Sequence, residues 1–161
     1  MLEELISRED CANCKICCKF EPDELIDAPT FTKEQMQYIK CNINKNLKFT
    51  EIDNIYKIEL IKCKSKYKCP LLSEKGCMLP NKYRPFDCES WPFYVMKKDE
   101  KCVITKSNDC PVFANIDNKK LTDFIENNFL EIAKKVAKEH PSMITEYNRG
   151  LDILYEFNIN E

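Results

Sequence analysis

Glycine is almost missing: Gly76 and Gly150 are the only two in 161 residues. Neither a G-x-x-x-x-G-K-S/T phosphate loop nor a G-x-G-x-x-G dinucleotide turn can be written with so few, so the sequence contains no nucleotide-binding loop of either kind. Histidine is scarcer still. His140 stands alone, which excludes a Cys2His2 zinc site, and no Ser/His/Asp set is recognisable in the sequence. Charge of one sign is also lacking, since 25 basic residues face 27 acidic ones for a net charge of -2. Nucleic acid is therefore not an expected partner. No apolar run approaches the roughly 20 residues of a bilayer span, and MLEELISRED has neither a basic n-region nor an apolar h-region. These features predict a soluble, cytoplasmic protein without a membrane partner.

Cysteine is what the chain has in excess, with 11 residues. The hydrophobic fraction reaches 43% only when they are counted, so cysteine chemistry is expected to supply part of the stability. A reducing compartment disfavours a disulfide framework. An odd total, with Cys11, Cys14, Cys17 and Cys18 crowded into one segment, points to metal ligation instead.

Periodicity outlines the rest. Leu2 to Arg8 allows a short helix before a cysteine-dense loop. Thr32 followed by Gln35 has the form of a capping box, and Met36, Ile39 and Ile43 share a face, which predicts a helix over about 32–44. From Tyr56 to Cys69 the period is two: Lys62, Lys64, Lys66 and Lys68 alternate with Cys63, Ser65, Tyr67 and Cys69, as on one extended strand with a solvated lysine face. Five of the eight prolines fall between 69 and 111 and exclude a long helix there. Phe93–Met96 and Cys102–Thr105 flank KKDEK and predict a hairpin.

Further on, Leu121, Phe124, Ile125, Phe129, Ile132, Ala133, Val136 and Ala137 predict an amphipathic helix over about 119–139, capped near His140 and stopped by Pro141. Met143, Ile144, Tyr147, Leu151, Leu154 and Tyr155 predict a second helix after Ser142, making a C-terminal helical pair over about 119–157. The expected fold is a small, metal-stabilised α+β domain spanning residues 1–161. Three to four helices cover its cysteine-rich loops and short β-hairpin.

Cys11-x2-Cys14-x2-Cys17 has the spacing that holds three corners of an iron–sulfur cube, and Cys69-Pro70 or Cys110-Pro111 offers the fourth ligand. Zinc is equally satisfied by four converging thiolates. Cys18, adjacent to Cys17, implies a second metal position, because neighbouring side chains diverge. Four plus four thiolates, with Cys69, Cys77, Cys88 and Cys110 added, would fill two four-thiolate sites. Cys41, Cys63 and Cys102 fall inside predicted elements and read as buried structural thiols.

Cys11-Ala-Asn-Cys14-Lys-Ile-Cys17-Cys18, then CPLLSEKGCMLPNKYRPFDCESWPF from 69 to 93, then Cys110-Pro111, resemble the CxxCxxCC, or YkgJ-like, family. Its members are described as zinc- or iron-chelating or iron–sulfur proteins. The likeness runs from about Cys11 to Pro111 and includes the FTKEQMQYI helix. It implies metal ligation by Cys11, Cys14, Cys17, Cys18, Cys69, Cys77, Cys88 and Cys110. Tyr83, Arg84 and Pro85 match the family's step before Cys88, while Trp91 stands where a smaller aromatic is usual.

Arg84 is the non-cysteine residue of interest, because four thiolates around Zn2+ or a cube leave excess negative charge that a guanidinium beside them offsets. The expected function is a cysteine-ligated metal protein carrying an iron–sulfur cluster, 4Fe–4S favoured, in a redox or electron-transfer role with a protein or redox partner. Alternatives are a zinc-stabilised binding module and, third, metal storage or delivery. An oxidoreductase or modification-associated activity would rest on analogy alone.

Overall fold

The computed structural model describes residues 2–159 and has a small α+β fold. The backbone gathers into two compact units, Leu2–Glu89 and Ser90–Glu161.

In the first unit, helix α1 (Arg8–Cys14) begins where Ser7 accepts a 3.1 Å hydrogen bond from the Asp10 amide. Glu9 and Asp10 occupy the first turn, where a helix favours negative charge. Cys11 and Cys14 therefore lie on a helix, not in the predicted loop, and only the 3-10 turn Leu2–Glu4 falls in the stretch expected to be helical. Lys15 ends α1 in a left-handed conformation, φ 57°, with its amide bonded to the Cys11 carbonyl. The 3-10 turn Ile16–Cys18 follows.

Helix α2 (Lys33–Asn42) matches its expectation: Thr32 accepts from the Gln35 amide at 3.3 Å, and the Gln35 side chain accepts from the Thr32 amide at 2.9 Å. Thr32→Ala is expected to cost about 1 kcal/mol of stability, read as a lowered urea midpoint with an unchanged slope.

Short strands complete this unit: β1 (Lys19–Phe20), β2 (Thr30–Phe31), β3 (Phe49–Ile52), β4 (Ile55–Ile58), β5 (Ile61–Cys63), β6 (Lys66–Lys68), β7 (Leu72–Ser73) and β8 (Gly76–Cys77). They form antiparallel sheets in the orders β1-β6-β5, β2-β4-β3 and β7-β8. The single strand expected from 56 to 69 is thus three. Asp53 and Asn54 both take positive φ, as the two-residue turn joining Ile52 to Ile55 requires.

The lysine row is also broken. Lys64, at φ 58°, sits in the β5–β6 turn, and the register pairs Lys62 with Tyr67 but Cys63 with Lys66. Directly paired residues share a face, so Lys62 lies opposite to Lys66 and Lys68. The core of this unit is Phe20, Phe31, Ile39, Ile58, Cys69, Leu71 and Leu79.

Helix α3 (Phe86–Ser90) leads into the second unit. There β9 (Phe93–Lys98) and β10 (Lys101–Lys106) form the predicted hairpin, turned at Asp99 with φ 57°. The predicted long helix is α4 (Asn118–Phe124), a π turn (Ile125–Phe129) and α5 (Leu130–Glu139). The π turn has a reason in the sequence. Phe124 and Phe129 are five apart, and both stack on Phe93, at 6.1 and 5.4 Å between ring centroids. One wider turn brings that spacing onto one face. His140 occupies the C-cap, with its amide on the Val136 carbonyl.

The second helix of the expected pair is not formed. A 3-10 turn (Pro141–Met143) is followed by β11 (Thr145–Glu146) and β12 (Ile153–Phe157), and the sheet order is β11-β9-β10-β12. Gly150 bonds back to the Asn148 side chain at 2.9 Å and breaks the helical stretch. The aromatic and β-branched residues beyond it then pair with β10, Tyr155 opposite Ile104 and Phe157 opposite Cys102.

Candidate thiol centre

Three segments of the first unit bring cysteines together, and hydrogen bonds fix each of them. Residues 17 and 18 run directly into β1, which pairs Lys19 with Lys68; beyond that pair the Cys69 amide donates to the Cys18 carbonyl at 2.9 Å. The chain turns at Cys69-Pro70, with the Leu72 amide on the Cys69 carbonyl at 3.1 Å, and the β7–β8 register sets Cys77 opposite Leu72. Helix α1 lies against β8 at Gly76. A Cβ there would stand 3.4 Å from Ala12 Cβ, and φ is +98°, so this turn needs glycine for conformation. Lys15 Nζ donates to the Glu74 carbonyl and ties the end of α1 to the same hairpin.

Cys88 arrives by a third route. The Asn81–Tyr83 turn is held on α2 by Tyr83 stacked on Tyr38, 3.6 Å between centroids, and by the Gln35 side-chain amide donating to the Arg84 carbonyl at 2.8 Å. One residue before Cys88, the Asp87 carboxylate accepts from both the amide and the hydroxyl of Thr30, at 3.0 and 2.7 Å. The capping-box residue Gln35 thus has a second task that its spacing does not reveal. Asp87 and Thr30 carry no sequence signal at all.

No disulfide is formed among the described cysteines. Cys69, Cys102 and Cys110 are buried, whereas Cys41 and Cys63, expected as packing thiols, are exposed. Both stand on elements whose outer face meets solvent, α2 and the edge strand β5. Cys102 alone of that trio is a core residue. Cys11 is exposed, and Cys14, Cys17, Cys18, Cys77 and Cys88 are half-buried. Cys110 belongs to the second unit, where its carbonyl accepts from the Ala114 amide at 3.1 Å.

Electrostatics links four of the thiols. Cys17 is pushed far up, first by its hydrogen bond with Cys18 and then by burial, against the opposing charge of Arg84. Burial pushes Cys69 up to about 12; the charges of Cys77 and Cys17 add to this, and a backbone hydrogen bond from Leu71 opposes it. Burial raises Cys88 well above the ordinary thiol value, and the charges of Asp87, Cys69, Cys17 and Cys77 raise it further. Beside this group, Arg84 Nε is buried with no hydrogen-bond partner.

The thiol shifts fix the sign of a pH dependence. Well below pH 9 the Cys69 thiol is neutral in both the folded and the unfolded chain. As pH rises through the ordinary value of 9.0, unfolded thiols ionise while Cys69 stays neutral to about 12. The unfolded state gains. The metal-free protein is expected to lose stability from about pH 9 upward, and Cys69→Ser to flatten that fall, as read from urea midpoints at pH 8, 9 and 10.

Among the described residues, no three cysteine, histidine or carboxylate side chains converge into a ready-made metal cage. No helix among them is long and apolar enough to cross a membrane. No protein-family model, curated protein or solved structure matches this chain. Its chemistry is read from its own residues.

Proposed function

We propose that this chain is a cysteine-ligated metal protein of the CxxCxxCC type, carrying an iron–sulfur cluster of the 4Fe–4S kind in a redox or electron-transfer role. The observation that carries the reading is that Cys18, Cys69 and Cys77 pack against one cluster of the first unit, with the Cys69 amide bonded to the Cys18 carbonyl at 2.9 Å, in a unit that also holds the unpartnered Nε of Arg84. The donor set fits such a group. Thiolates are soft ligands for iron–sulfur centres, Cys69 precedes a proline as cluster-closing cysteines do, and the half-buried Arg84, whose Nε is buried, carries a charge of the sign that offsets excess thiolate charge. A cluster, when bound, supplies one-electron chemistry. The protein's part is to hold deprotonated thiols, limit water and set the local charge.

The two- and three-residue strands β1, β5, β6, β7 and β8 favour, as a second reading, a zinc ion of purely structural use. Anaerobic purification with metal and acid-labile sulfide analysis separates the two. Iron with stoichiometric sulfide and a broad visible absorption is expected. Colourless protein with one or two zinc ions, which iron and sulfide fail to replace under reducing conditions, would establish the zinc reading. Protein that binds neither overturns both.

A further inference from the structure

We propose that Cys18 and Cys69 form a redox-active dithiol, which closes to one cross-strand disulfide by reducing a small-molecule disulfide such as oxidised glutathione. The pair goes beyond the metal reading and does not depend on it. Strand β1 runs antiparallel to β6, with Phe20 opposite Tyr67 and Lys19 opposite Lys68. One step further along that register Cys18 stands opposite Cys69, and there the Cys69 amide donates to the Cys18 carbonyl at 2.9 Å. In such a hydrogen-bonded antiparallel pair the Cα atoms lie about 5.5 Å apart. A disulfide spans about 4.4–6.8 Å between Cα atoms, so the backbone already stands at bridging distance.

Side-chain direction agrees with the register. Residues directly opposite share a face, as do alternate residues along a strand. Cys18, Phe20, Tyr67 and Cys69 therefore point one way, and Lys19 and Lys68 the other. Burial follows this division: Phe20 and Cys69 belong to the core cluster of the first unit, Cys18 and Tyr67 pack against it, and Lys19 is exposed. Cys77 also packs on that cluster, but its register partner is Leu72 in the separate β7–β8 hairpin. Cys17 is the chain neighbour of Cys18, and a bridge between those two would have to close a small ring around one planar peptide bond.

Exposure sets the order of events. Cys18 is half-buried, whereas Cys69 is 5% exposed. Cys18, as thiolate, attacks one sulfur of the small disulfide, whose S–S bond breaks; one small thiol leaves with the proton that Cys18 gave up, and the other half stays bonded to Cys18. Cys69 then loses its proton and attacks the Cys18 sulfur, forming the Cys18–Cys69 bond and releasing the second small thiol with that proton. Two electrons pass from the cysteines to the small disulfide, which ends as two thiols. Cys69 meets only the sulfur opposite it and never the reagent.

The test uses the full metal-free chain without oxygen, oxidised glutathione as the probe and peptide mass mapping as the readout. Wild type is expected to give peptides joined between Cys18 and Cys69, lacking the two thiol hydrogens, and dithiothreitol should reopen them. Cys69→Ser should stop with glutathione held on Cys18, Cys18→Ser should lose the link, and Cys17→Ser should keep it. Glutathione left on wild-type Cys18 with no link to Cys69, or a link from Cys18 to Cys17 or Cys77 in its place, overturns the proposal. Metal uptake is scored separately. A chain that binds neither zinc nor iron with sulfide and still forms the link overturns the proposed function and keeps the dithiol; a chain that binds metal but forms no link once stripped does the reverse.

Discussion

Replacing Phe93 by alanine is expected to cost the Ser90–Glu161 unit about 3–5 kcal/mol, the range for deleting a fully buried aromatic ring. Phe93 is 1% exposed and is the hub of its core: Phe113 meets it edge-on at 5.1 Å, and Phe124 and Phe129 stack on it at 6.1 and 5.4 Å. Three partners lose contact at once. They come from distant points on the chain, so local repacking cannot close the gap, and the π turn that presents Phe129 loses the ring it was shaped to meet. At about 4–8 °C per kcal/mol for a unit of this size, the melting temperature should fall by more than about 12 °C. Trp91, the only tryptophan, lies in the same unit against Tyr94 and makes its fluorescence the natural probe. A loss below about 1 kcal/mol would show that this core is not where the unit's stability resides. Phe113→Leu is the milder comparison, since it keeps most of the buried volume.

Signals confined to a few residues were legible in advance, and those needing a distant partner were not. The Thr32–Gln35 capping box, the hairpin around KKDEK and the apolar stripe from Leu121 to Ala137 are local patterns, and each forms its element. The stretch from Met143 to Tyr155 satisfied the helical pattern equally well. Its strand is decided by the open edge of β10, more than forty residues earlier, together with the Asn148–Gly150 turn. The lysine alternation failed for a related reason: a period of two continues through a hairpin on paper, while the Lys64 turn resets the faces.

At the site, residue type was readable and grouping was not. Cysteine spacing named eight candidates, yet it placed Cys11 and Cys14 in a loop, and nothing in it foretold that Asp87 would be anchored by Thr30 or Arg84 by Gln35. The exposure of Cys41 and Cys63 likewise depends on which face of α2 and which edge of a sheet meets solvent.

If the chain carries the metal proposed for it, stripping that metal from purified protein is expected to have the largest effect of all, and an uneven one. A structural thiolate site contributes on the order of 10 to 16 kcal/mol of apparent binding free energy, against about 5 to 15 kcal/mol for a whole domain. The segments that carry the thiols have little else. Strands β1, β7 and β8 are two residues long and β6 is three, α1 has seven residues, and hairpins this short are marginal alone. Nearby, β2, β3 and β4 keep Phe31 edge-on to Phe49 at 5.8 Å and the capped helix α2. The six-residue strands β9 and β10 keep the Phe93 cluster. After chelation under reducing conditions, amide exchange should accelerate by several orders of magnitude in β1, β6, β7 and β8, moderately in β2–β4, and little in β9 and β10. The order follows from where the thiols are, because only backbone whose partners are held by sulfur loses its support when the metal leaves. Unchanged protection of β7 and β8 after verified metal loss would mean that Leu71, Leu79 and Phe20 suffice, and that the thiols serve chemistry without serving the fold.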